Sequence, residues 1–176
     1  MTYLYHRVPK GMKGDVLYPL GVLKNTEPEI YKLHAAKYDG RQQLLEVTIP
    51  TLNCLWNDVL HFSAVHPQKI VDALREAGDT KDFEMEYFEI DPHLLDPENT
   101  TVFVYAEKVI DGQPPMKEFA DYNPDDLEKY SEINNDTKEY YAQMYAGGES
   151  PLMHYRLPHI LHKGSIDTKN LKRIKI

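Results

Sequence analysis

Three histidines stand in short strand-like runs spread across the chain: His6 in run 3–8, His61 in run 59–65 and His159 in run 158–166. An imidazole donates, accepts or moves a proton near neutral pH, and it also ligates metals. Alternation along a strand puts Leu4, His6 and Val8 on one face, and Val59, His61 and Ser63 on one face of the second run. Burying an imidazole on a mostly apolar strand is costly unless it is hydrogen-bonded. Three such strands point to polar groups converging on a cleft in a central sheet.

Other chemistries find weaker spacing. Ser63 lies two residues from His61, but no Gly-x-Ser-x-Gly elbow surrounds it, and Cys54 has no flanking signature of a nucleophile. His61 and His66 are five apart, His159 and His162 three apart, and His93 sits in a turn. No His-Glu-x-x-His run or paired cysteines accompany them, so no resident metal is expected. Gly11, Gly14, Gly21 and Gly40 are too scattered for a P-loop or a dinucleotide fingerprint. Among 13 tyrosines, Tyr140, Tyr141 and Tyr145 have the helical spacing of a core or partner face. Tyr18 and Tyr31 are the candidates for stacking on a planar ligand ring.

These residues need elements to hold them. The first strand ends at Pro9, and a loop follows through Gly14. Thr26-Glu27-Pro28-Glu29 reads as a capping box, with Ile30, Leu33 and Ala36 forming a stripe that ends near Gly40. Behind the His61 strand, Pro67 opens a helix over 67–77 with Ile70, Ala73, Leu74 and Ala77 on one face and Gly78 at its stop. Run 83–90 and Thr100–Tyr105 read as strands separated by two Asp-Pro turns. Gln113-Pro114-Pro115 opens an irregular region, and Asn123-Pro124 and Asp136-Thr137 read as two helix starts. Strands around 160–165 and 171–176 close the chain, the last an edge strand with Lys172, Arg173 and Lys175 exposed. The class is α+β: one domain over residues 1–176, with a split, mostly antiparallel sheet, a central cleft and flanking helices.

Composition limits the partners. With 176 residues and a net charge of −8, the chain suits a single core and disfavours a broad nucleic-acid or acidic-membrane surface. The single cysteine forbids an intrachain disulfide, and no apolar run approaches a bilayer span. Run 1–7 lacks a signal-peptide layout, so a cytoplasmic protein is expected.

Taken in order, these pieces resemble the ADP-ribosyltransferase fold, in the histidine-initiated branch that includes diphtheria-toxin-like and poly-ADP-ribose-polymerase-like enzymes. Leu4-Tyr5-His6-Arg7-Val8 is similar to that family's opening Tyr-His strand, whose histidine holds the ribose of NAD. Leu60-His61-Phe62-Ser63-Ala64-Val65, running into a helix, is similar to the later Tyr-Phe-Ala/Ser strand, with His61 where a nicotinamide-stacking tyrosine is usual. Pro158-His159-Ile160-Leu161-His162 has the rhythm of the late strand that supplies the catalytic glutamate, but His159 stands in its place.

The resemblance implies an NAD-binding protein that transfers ADP-ribose to a protein or other acceptor. His6 would bond the ribose, His61 would serve the nicotinamide side with help from Ser63, and Arg7 would neutralise phosphate, although alternation sends it to the face opposite His6. An imidazole does not replace a carboxylate beside an oxocarbenium-like ribosyl centre. Glu46, Glu84, Glu86 and Glu89 are the candidate replacements. The competing readings are a non-enzymatic interaction module built on the sheet and tyrosine-rich helix, and a metal-dependent hydrolase using His61, His66 and another histidine.

Overall fold

The computed structural model describes residues 2–40, 42–105 and 117–176. Its elements, in chain order, are β1 (Leu4–Arg7), β2 (Val16–Leu17), α1 (Leu20–Thr26), α2 (Pro28–Ala35), β3 (Thr48–Ile49), β4 (Cys54–Leu55), β5 (Leu60–Phe62) and α3 (Pro67–Glu76). The second half continues with β6 (Glu86–Ile90), β7 (Thr100–Tyr105), β8 (Lys117–Asp121), α4 (Asn135–Ala146), β9 (His159–His162), β10 (Ile166–Asp167) and β11 (Lys172–Lys175). The chain is a mixed helix-and-sheet protein with antiparallel sheets. The Gln113-Pro114-Pro115 stretch lies outside the described residues.

Two main sheets organise the molecule. One has the order β1-β6-β11, the other β5-β9-β7-β8, and two-stranded pairs β10-β2 and β3-β4 flank them. The main sheets meet at one antiparallel bridge, where Tyr5 N–H donates to the Ser63 carbonyl at 2.8 Å and Ser63 N–H returns to the Tyr5 carbonyl at 3.1 Å. Leu4, Phe88 and Ile90 from the first sheet share a core with Leu60, Phe62, Val102 and Ile160 from the second. Burial of this continuous apolar set is the main force holding the sheets together.

Both outer faces are also covered. Val71 of α3 packs on Tyr5, Met85 and Tyr87, while Ile70, Ala73 and Leu74 pack on Tyr141 of α4 and Leu157. Pro67 occupies the first turn of α3, and His66 caps it by accepting the Gln68 N–H on Nδ1 at 3.1 Å. On the far side of the second sheet, Val59, Phe103 and Leu161 pack with Ile49 and Leu52. β11 is an edge strand with Lys172, Arg173 and Lys175 exposed, as its charge pattern predicts.

Several expectations shift. Thr26 ends α1 instead of capping α2, and its hydroxyl donates to the Val22 carbonyl at 3.1 Å. Glu27 takes the N-cap position of α2, which stops at Ala35 and runs into a single 3-10 turn over Ala36–Tyr38. Asn123-Pro124 starts no α-helix; Asn123 Oδ1 accepts the Asp125 N–H in a local turn, and one 3-10 turn follows at Glu128–Tyr130. A side chain that satisfies the backbone two residues on competes with helix propagation. Among the described residues, no helix is long and apolar enough to cross a membrane.

Candidate functional site

The bridge between the sheets sets the geometry of the site. Because Tyr5 pairs with Ser63, His6 comes to lie beside His61, and its Nδ1–H donates to the His61 carbonyl at 2.7 Å. A cavity of about 700 Å³ opens at this junction, lined by five imidazoles: His6, His34, His61, His154 and His159. Arg7 and Lys10 add positive charge to its wall, and Glu84 and Glu86 add negative charge. A concave site with convergent polar groups of this size is the ordinary form of a ligand site.

Each ring is oriented by its surroundings. His61 Nε2–H donates to the Trp56 carbonyl at 3.1 Å, and its ring lies 4.8 Å from the indole. That donation leaves Nδ1 as the acceptor nitrogen of the neutral ring. On β9, His159 faces Phe103 of β7 across the ladder and lies 6.2 Å from His61, nearly perpendicular to it. The two share a face because β5 and β9 are paired with His61 opposite Leu161, two residues on from His159. His34 of α2 donates from Nε2 to the Lys10 carbonyl at 3.0 Å, and His154 lies 6.4 Å from His159. His162, on the other face of β9, is buried and donates from Nδ1 to Thr100 Oγ1 at 2.9 Å, since that hydroxyl already donates to the Asp96 carbonyl.

Burial sets the charge states nearby. Desolvation holds the His162 and His66 imidazoles below their ordinary value, which keeps both neutral near pH 7. Burial, aided by the Glu89 carboxylate, pushes the Tyr5 phenol up to about 12.

A smaller chamber of about 90 Å³ adjoins the main cavity and shares His6, Pro9, His34 and His61 with it. Its remaining wall includes Tyr18, Leu20, Leu23, Tyr38, Trp56 and Asn57.

The expected site residues divide accordingly. His6, His61 and His159 come together in the large cavity from three separate strands. Arg7 lines it too, because the cavity wraps the end of β1 through Val8, Pro9 and Lys10 and so reaches a residue that alternation turns away from His6. Ser63 borders the cavity but is tied into a local turn, its Oγ accepting the Val65 N–H at 3.1 Å. Tyr18 belongs to the smaller chamber, and Tyr31 lines neither space. Val59, expected beside His61 on an open cleft face, is 2% exposed, because Phe103 and Leu161 cover it.

Of the four carboxylates, Glu84 and Glu86 line the cavity. Glu46 does not, and Glu89 instead accepts from Lys172 at 2.8 Å. Among the described residues, no group of three or more His, Cys, Asp or Glu side chains is placed to hold a metal ion. His66, the proposed partner of His61 in a metal set, is occupied as the cap of α3.

Sequence reading missed His34 and His154. His34 adjoins Leu33 on the α2 stripe and was recoverable from helical spacing. His154 lies in a loop, and nothing local marks it. No family model, curated protein or solved structure matches the chain.

Proposed function

We propose that the chain is an ADP-ribosyltransferase-like protein that binds NAD in the junction cavity and transfers ADP-ribose to a protein or other acceptor. The observation that carries the reading is the convergence of His6, His61 and His159 on one cavity, from strands in the order the resemblance implies. Arg7 and Lys10 give the wall charge suited to a diphosphate, and the imidazoles give donors suited to ribose hydroxyls.

In the transfer, the bond from ribose C1′ to the nicotinamide nitrogen breaks, and nicotinamide leaves with the electron pair. A nucleophile of the acceptor bonds to C1′ and loses its proton to a basic group of the cavity. A carboxylate must stabilise the positive ribosyl centre, and the imidazole of His159 does not. Glu84 and Glu86 are the carboxylates bordering the same space. Glu84 is the better of the two, because Glu86 faces Arg173 at 3.7 Å. A nucleotide-binding protein without turnover is the second reading, favoured by the imidazole at position 159.

Incubation of the pure protein with NAD, followed by measurement of released nicotinamide, tests the activity. Calorimetric titration and thermal melting test the binding. A hundredfold excess over the dissociation constant raises stability by about 2.7 kcal/mol. Binding without nicotinamide release selects the second reading; an unmoved melting temperature with no heat of binding removes both.

A further inference from the structure

β11 forms an outer edge of the sheet β1-β6-β11. Its inner side is fixed by Ile176, whose N–H donates to the Met85 carbonyl at 2.9 Å while the Met85 N–H returns to the Ile176 carbonyl at 3.1 Å. Hydrogen bonding alternates along an antiparallel strand, so the pairs Ile174–Tyr87 and Lys172–Glu89 also turn the main chain of β11 toward β6. The N–H and carbonyl groups of Arg173 and Lys175 then point outward, where they have no partner among the described residues. Two donors and two acceptors are thus held in strand register on an open edge.

The side chains of β11 specify what can pair there. Lys172 donates to Glu89 at 2.8 Å, and Arg173 lies 3.7 Å from Glu86 and 5.0 Å over the Phe88 ring. Ile174 and Ile176 pack on the Tyr5, Val71, Met85 and Tyr87 cluster. Lys175 is exposed and, like Lys169 before the strand, has no carboxylate partner among the described residues. Four cations fall within residues 169–175 of a chain whose net charge is −8. Like charges set opposite one another across strands are destabilising, so this edge repels a second copy of itself. Its inner partner shows the opposite case: β6 mixes acidic and apolar side chains, and its Glu86 and Glu89 meet the cations of β11.

We propose that β11 is a docking edge for an extended acidic segment of a partner protein, which adds to the sheet as a further strand. Carboxylates of that segment lie opposite Arg173 and Lys175, and an apolar side chain lies opposite Ile174, on the face where Ile174 and Ile176 continue the core. The ligand class is a strand of alternating acidic and apolar residues. β6 stands between this edge and β1, so docking does not depend on what the junction cavity binds.

Titration of the full chain with a dye-labelled peptide of alternating glutamate and valine, read by fluorescence anisotropy, tests the docking. Binding should weaken as salt rises and should slow amide hydrogen exchange at Arg173 and Lys175. Lys175→Glu, with an unchanged melting temperature, should lower the affinity about tenfold or more. A peptide N-methylated on its glutamates keeps their charge but loses the ladder donors, and it should not bind. Because that peptide leaves the protein untouched, it keeps the test open if Lys175→Glu folds poorly. Equal binding of the N-methylated peptide, or of a scrambled peptide of the same composition, reduces the contact to charge attraction and overturns the proposal. Slowed exchange confined to other strands overturns it too, as does the absence of binding at millimolar peptide. Exchange at Arg173 and Lys175 that slows with rising protein concentration alone assigns the edge to a second copy of the chain, and the proposal fails.

Discussion

The His6 imidazole is held by the main chain of His61, Nδ1–H to carbonyl at 2.7 Å, across the bridge that joins the two sheets. The donation fixes the neutral ring of His6 with Nε2 as its acceptor nitrogen. Ring orientation on β1 thus depends on the path of β5, and the cavity keeps its shape only while the junction is intact.

His61 and Phe62 are neighbours with opposite duties. His61→Ala should abolish most ligand binding and cost about 1 kcal/mol, the loss of its bond to the Trp56 carbonyl. Phe62, 1% exposed in the shared core, should cost about 3–5 kcal/mol when replaced by Ala. Ligand titration and denaturant unfolding of both variants check this. His61→Ala with intact binding would make His61 a structural residue.

The carboxylates separate by position. Glu84→Gln should lower nicotinamide release by about 10²-fold or more, with an unchanged melting temperature, because Glu84 is exposed and borders the cavity. Glu89→Gln, which loses its contact with Lys172 on the sheet, should leave release unchanged. Equal rates in both variants exclude Glu84 from the chemistry.

Acid should weaken the fold through His162. Its folded value is lowered by burial, so the unfolded chain takes up the proton first. Its contribution is fully present above about pH 6.5, the unfolded value, and is lost as pH falls through the lower folded value. His162→Asn should give a shallower fall in unfolding free energy between pH 7 and pH 5. His93 runs the other way, since contacts with Asp91 and Asp125 raise it, so the comparison is made at the level of the variant.

Tyr141 is fully buried, and its hydroxyl donates to the Met153 carbonyl. Tyr141→Phe should cost about 1–3 kcal/mol by leaving that carbonyl unpaired, without altering ligand affinity. Unfolding midpoints together with titration read both effects.

Legibility followed the range of the forces involved. Alternation marked β1 and β5, whose Leu4, Leu60 and Phe62 enter the shared core, a β-prone run marked β7, and Pro67 with its apolar stripe marked α3. α1 left no such trace: it buries none of its residues, so no stripe was selected along it. β8 was missed because Lys-Glu-Phe-Ala-Asp carries too few apolar positions to alternate, and its place depends on pairing with β7. His6, His61 and His159 were visible from strand context, whereas His154 reaches the cavity only through tertiary folding of a loop. Which carboxylates border the cavity is likewise a property of sheet assembly, not of neighbouring residues.

The chain holds one tryptophan, and it is Trp56, packed on His61 and Phe103 at the wall of the smaller chamber. The molecule thereby carries its own optical reporter. Indole emission is quenched by a nearby imidazolium and shifts when water around it is displaced. A ligand that displaces water from this wall should therefore register in the intrinsic fluorescence of this single residue, with no label added.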